Sequence, residues 1–149
     1  MITKYKLKHL TLVKEPYKEY NQKPKISSSR SVYDILKQAW KLDIDYRERF
    51  LALYLNRANR IIGISEISVG GVSATVVDSK IVFGTALRCG ASSVIVAHNH
   101  PSGNTIPSNP DISITNKLKR AGEILDISLL DHLIITSEKY FSFADEGKL

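Results

Sequence analysis

Apolar positions along this chain recur with two different periods, and the switches between them predict where helices and strands lie. Val32, Ile35, Leu36, Ala39 and Trp40 follow at helical spacing behind Ser31-Val32-Tyr33-Asp34, which reads as a capping box, so a core-facing helix is expected there. Residues 50–55 and 61–69 are strand-like, and with Arg57-Ala58-Asn59-Arg60 between them they predict a hairpin. Asp78 is placed to cap a second helix carrying Ile81, Val82, Thr85, Ala86 and Leu87, and Gly90 to end it. Ser93-Val94-Ile95-Val96-Ala97 is a continuous apolar, β-branched run, the pattern of a strand covered on both faces. A further helix is expected to start within Pro107-Ser108-Asn109-Pro110-Asp111, to carry Ile114, Leu118 and Ala121, and to end near Leu125. Residues 129–136 and 140–143 predict two last strands.

Composition narrows the setting. The chain has 149 residues and is 43% hydrophobic, which suits one domain with a real core. No apolar run approaches the roughly 20 residues needed to span a bilayer, so no membrane contact is expected. Met1-Ile2-Thr3-Lys4-Tyr5-Lys6 lacks the apolar core of a secretory signal, and a single cysteine, Cys89, excludes an internal disulfide. A cytoplasmic protein is the natural expectation, with Cys89 a small buried residue near a helix end.

Charge divides the chain unevenly. Residues 1–30 hold eight basic side chains against two acidic ones, which accounts for the whole net charge of +6. This marks residues 1–30 as a basic N-terminal arm or linker, with Pro16, Pro24 and Ser27-Ser28-Ser29, ahead of a domain over residues 31–149. Such an arm can contact the phosphates of DNA, although clustered lysines also serve simply as a solvated surface. His9, in a short strand-like run over residues 7–13, is expected to face solvent.

Chemistry concentrates where the apolar run ends. His98-Asn99-His100-Pro101-Ser102-Gly103 is followed by Ser108 and Asp111. On an extended backbone residues i and i+2 point the same way, so His98 and His100 can offer ring nitrogens to one ion while Asn99 faces away. Pro101 and Gly103 turn the chain. Ser108 as N-cap and Asp111 at N3 then form a capping box that sets Asp111 at a helix N-terminus beside the histidines. Two imidazoles and one carboxylate leave a fourth coordination position for water, the pattern of a catalytic zinc site. One Zn2+ would lower the pKa of that water towards about 7. Ser108 can hydrogen-bond the oxyanion formed when hydroxide attacks a carbonyl, a contact typically worth about 3 kcal/mol.

The pattern His-x-His, seven residues, Ser-x-x-Asp resembles the metal-binding motif of the JAB/MPN (JAMM) metalloprotease superfamily. The longer string, with Pro107, Thr115 and Asp131-His132 added, resembles its RadC branch from about Ser31 to the C-terminus. The resemblance implies an α/β fold of the JAB/MPN type, a mixed β-sheet flanked by helices. It also implies a zinc ion on His98, His100 and Asp111, hydrolysis of a peptide or isopeptide bond in a protein conjugate, and an association with DNA repair. The superfamily uses an upstream Glu as general base. Glu48, just before the strand-like run at 50–55, is the candidate; Glu66 competes if its strand adjoins the metal strand.

Each residue also has a plainer role. His98, His100 and Asp111 would serve as loop hydrogen-bonding and capping groups, Ser108 as an N-cap alone, Asn99 as a loop brace, and Glu48 as a solvated acid. Asp131 and His132 read as satisfied buried groups or partners behind a ligand, rather than as a fourth ligand. Cys89 has no base nearby in the sequence to make it a nucleophile. Three function classes follow: a zinc hydrolase; a non-catalytic metal-containing module that binds DNA or a protein partner; and a metal-dependent nuclease. The nuclease draws no support from the letters His-Asn-His, since the ββα-metal element is not visible in this chain. The N/O ligand set also admits iron, manganese or nickel.

Overall fold

A computed structural model describes residues 23–40, 44–70 and 76–149. Within them the elements follow in the order α1 (Ser29–Trp40), β1 (Arg49–Leu55), β2 (Ile61–Val69), α2 (Ser79–Cys89), β3 (Ser93–Asn99), α3 (Asn109–Ile124), β4 (Ser128–Ile135) and β5 (Tyr140–Ser142). The strands form one mixed sheet in the order β2-β1-β3-β4-β5. β1 runs antiparallel to β2 and β3, β3 and β4 are parallel, and β5 returns antiparallel on β4. A parallel pair needs a crossover connection, and α3 supplies it between β3 and β4. β3 therefore lies in the middle with helices over both faces, and every one of its residues is buried. The continuous apolar run at 93–97 carries that position in the sequence. This is the α/β fold, a mixed sheet flanked by helices, that the family resemblance implies.

Strand alternation sorts the core into two layers. Leu51, Leu53, Leu55, Ile95, Ala97, Leu133 and Ile135 pack with Val32, Leu36 and Trp40 of α1. Phe50, Ala52, Tyr54, Val94 and Val96 pack on the opposite side with Val82, Phe83 and Ala86 of α2 and Leu118 of α3. Asp78 caps α2 by accepting from the Lys80 N–H, and Gly90 closes it at φ 67°, a left-handed conformation suited to glycine.

At α1 the structure corrects the sequence reading. Ser28 Oγ accepts from the Ser31 N–H and Ser31 Oγ from the Ser28 N–H, both at 3.2 Å, so the reciprocal box has Ser28 at the N-cap and Ser31 at N3. Asp34 instead pairs with Arg30 one turn earlier, at 3.1 Å. Ala39 is exposed, and Tyr33 takes a buried place, donating its hydroxyl to the Thr136 carbonyl.

The packed unit also reaches back past residue 31. Ile26 is buried in the α1-side cluster, its N–H donates to the Asn59 carbonyl, and the Ile61 N–H donates to the Pro24 carbonyl. The remainder of the basic arm, residues 1–22 with His9 and the strand-like run at 7–13, lies outside the described residues. Among the described residues no helix is long and apolar enough to cross a membrane.

Candidate metal centre

β3 delivers His98 at its C-terminal end, buried at 1% exposure, and the chain leaves the sheet at His100, whose N–H still donates to the Ile135 carbonyl of β4. Gly103, at φ 78°, donates to the His100 carbonyl and closes the turn. The two rings share one side of the strand, with their Nε2 atoms 2.9 Å apart. His100 Nδ1 lies 2.6 Å from the Asn104 carbonyl, which can only accept, so Nδ1 carries hydrogen and the neutral ring presents its lone pair on Nε2.

α3 brings the carboxylate. Ser108 is the N-cap, its Oγ accepts from the Asp111 N–H at 3.2 Å, and Asp111 Oδ2 accepts from the Ser108 N–H at 2.8 Å. This is the capping box expected from the sequence. It turns the Asp111 side chain back over the helix N-terminus, where the helix dipole favours an anion. Asp111 Oδ1 lies 3.1 Å from His98 Nε2 and Oδ2 lies 3.5 Å from His100 Nε2.

Together the three side chains form a cluster with the geometry to hold a metal ion. A tetrahedral ion at 2.0–2.1 Å from its ligands keeps them about 3.3 Å apart. The nearest approaches here, 2.9 Å between the two Nε2 atoms, 3.1 Å from His98 Nε2 to Asp111 Oδ1 and 3.5 Å from His100 Nε2 to Asp111 Oδ2, lie close to that value. The donor set is therefore preassembled and fits a divalent cation.

Its electrostatics point the same way. Burial acts to raise the Asp111 carboxyl, but its contacts with His100 and His98 outweigh it and hold the group far below the usual carboxylate range. The Asp111 contact, opposed by burial and aided by the Asn104 carbonyl and the charge of Glu48, raises His100 above the ordinary imidazole value. The cluster attracts positive charge.

Strand pairing separates the two candidate bases. Phe50 of β1 stands opposite His98, so the antiparallel register brings Glu48, two residues earlier and on the same face as Phe50, beside His100. Glu66 pairs with Leu51 and so belongs to the α1 side of the sheet, where it makes a 3.4 Å ion pair with Arg49. Its strand does not adjoin the metal strand, because β1 lies between them. Ser108 is exposed at the rim.

Asn99 braces a loop, as its sequence position implies, and does so with its whole amide. Oδ1 accepts from Trp40 Nε1 at 3.0 Å and from the Arg49 N–H at 2.7 Å, while Nδ2 donates to the carbonyls of Ile44 at 2.6 Å and Arg47 at 2.7 Å. Every donor and acceptor site of the side chain is used. The segment clasped in this way is the one that carries Glu48.

Asp131 and His132 are both buried; Asp131 is engaged away from the cluster, and His132 stands behind His98. Asp131 accepts from Ser142 Oγ and from the Ala144 and His132 N–H groups, and burial raises its carboxyl. Burial holds His132 well below the usual imidazole range; its nitrogens meet His98 Nδ1 at 2.8 Å and Thr115 Oγ1 at 2.6 Å. A place behind a ligand was one of the sequence readings of His132, whereas its contact with Thr115 was not assigned; the i+4 spacing of Thr115 from Asp111 was the available signal. Cys89 ends α2 half-buried, with its thiol pushed up by burial.

A five-stranded mixed sheet, helices on both faces, and a His-His-Asp cluster where the central strand meets a helix N-terminus define a JAB-type domain. The chain belongs to the RadC-like JAB family: residues 26–148 match the RadC-like JAB domain. It is 46% identical over 123 residues to a UPF0758 protein of Flavobacterium johnsoniae, covering 83% of this chain and 53% of that protein. It is 41% identical over 137 residues to a UPF0758 protein of Methanosarcina mazei (92% and 56%) and 41% identical over 141 residues to one of Thermotoga maritima (94% and 62%). The chain thus spans somewhat over half the length of these curated relatives.

Proposed function

We propose that this domain is a zinc-dependent hydrolase that cleaves a peptide or isopeptide bond in a peptide or protein conjugate. The observation that carries the reading is the convergence of His98 Nε2, His100 Nε2 and the Asp111 carboxylate within reach of one ion. Zinc bound there would supply the Lewis acidity that makes water a nucleophile at neutral pH. His98, His100 and Asp111 as its three protein ligands would leave one coordination position open. Glu48, on the His98 face, takes the proton from the attacking water and returns it to the leaving amine. The Ser108 hydroxyl accepts from the Asp111 N–H and keeps its own hydrogen to donate to the developing oxyanion.

The test is zinc content together with cleavage of a panel of peptide and isopeptide-linked conjugates. Glu48→Gln is expected to retain zinc and lose about 10²–10⁴-fold in rate. His100→Ala is expected to lose both zinc and turnover. A fully active Glu48→Gln protein would remove this mechanism.

A further inference from the structure

We propose that Thr115 and His132 are positioning residues of the metal centre, which fix through a one-way chain of hydrogen bonds the nitrogen that His98 offers to the ion. This inference rests on the metal-binding reading above.

The chain can be followed atom by atom. Thr115 Oγ1 lies 2.6 Å from the Asp111 carbonyl, one turn back along α3. A carbonyl only accepts, so the single hydroxyl hydrogen lies on that contact. Toward His132 Nδ1, also at 2.6 Å, Thr115 therefore turns a lone pair, and Nδ1 must carry the hydrogen. An uncharged imidazole with hydrogen on Nδ1 has a bare Nε2. That Nε2 lies 2.8 Å from His98 Nδ1, which in turn must carry hydrogen. His98 is left with its lone pair on Nε2, the atom that faces Asp111 Oδ1 at 3.1 Å.

Packing holds this chain in place. His132 is stacked on Phe143 at a centroid distance of 4.9 Å and an interplanar angle of 7°, and Phe50 stacks on His98 at 5.9 Å and 9°. Thr115, His132 and His98 are each no more than 1% exposed, so water cannot replace a missing member. The chain begins on the main chain of one ligand and ends on the ring that faces its side chain. β3, β4 and α3 are thereby coupled at the site.

Histidine-ring 1H–15N NMR on the metal-free protein reads the tautomers directly. Nδ1–H is expected on both His98 and His132; Nε2–H on His98 would overturn the proposal. In Thr115→Val, which keeps the shape and removes the hydroxyl, zinc affinity measured by chelator competition is expected to fall about 10–100-fold. Thr115→Ser should restore it. His132→Phe, which preserves ring stacking and removes both nitrogens, should match Thr115→Val. Wild-type affinity in folded Thr115→Val protein would equally overturn the proposal. Failure of the wild type to take up zinc would sink the hydrolase reading instead, and the NMR result would still decide the direction of the chain.

Discussion

Two imidazole nitrogens 2.9 Å apart cannot turn lone pairs toward each other without positive charge between them, and His98 and His100 are placed in that way beside Asp111. A proton or a divalent cation can meet the demand, and the two compete. Because His100 is raised above its ordinary 6.5, zinc affinity should begin to fall on the alkaline side of that value, by about tenfold per pH unit once His100 is protonated. Zinc affinity that stays flat down to acid pH would contradict this. For the metal-free protein the signs are opposite at the two groups. The stability gained from His100 is present in acid and lost as pH rises through its raised value, whereas that gained from Asp111 is lost as pH falls through its lowered one. Ser108→Ala should cost about 1 kcal/mol of stability through the lost cap, and about 10²–10³-fold in rate if the oxyanion contact is made. The positions of His98, His100, Ser108 and Asp111 were legible because strand alternation and a capping box are rules of local spacing. Where Glu48 and Glu66 lie relative to the cluster was not, since that turns on which strand lies next to β3.

Elements meet at two points that single substitutions can test. Asn99 fastens the end of α1 and the segment before β1 to β3 with four hydrogen bonds. Leaving such buried partners unpaired costs about 1–3 kcal/mol each, so Asn99→Leu should lower unfolding free energy by about 3 kcal/mol or more in a denaturant titration. A loss below 1 kcal/mol would show that water replaces the amide. At the other end of the sheet α3 passes so close to the turn into β4 that a Cβ on Gly122 would stand 2.3 Å from the Ile127 carbonyl oxygen. Gly122→Ala should therefore destabilise by about 1–3 kcal/mol despite the higher helix propensity of alanine. The hairpin, α2, α3 and β3 could be read from periodicity and caps. The start of α1 could not be fixed locally, because Ser27-Ser28-Ser29 and Ser31 offer several caps, and the burial of Ile26 just upstream accompanies the one adopted.

For the molecule as a whole, the two apolar layers hold the sheet together independently of the metal cluster. Chelation should leave the circular dichroism spectrum unchanged, and zinc at a hundred times its Kd should add about 2.7 kcal/mol of stability. The arm carries a separate expectation. Since Ile26 is part of the core, a deletion that probes DNA contact must stop at residue 22; if the arm binds phosphates, that deletion lowers DNA affinity and flattens its salt dependence while zinc uptake stays intact. Unchanged affinity and salt slope would exclude the arm as the contact surface. The central claim is that His98, His100 and Asp111 grip one cation and leave it a free coordination position. Anomalous diffraction from zinc-soaked crystals tests it most directly. A single peak about 2.0–2.2 Å from both Nε2 atoms and an Asp111 oxygen, with solvent as the remaining ligand, is the result expected. No peak at these three side chains, or an ion fully enclosed by protein ligands, would contradict it.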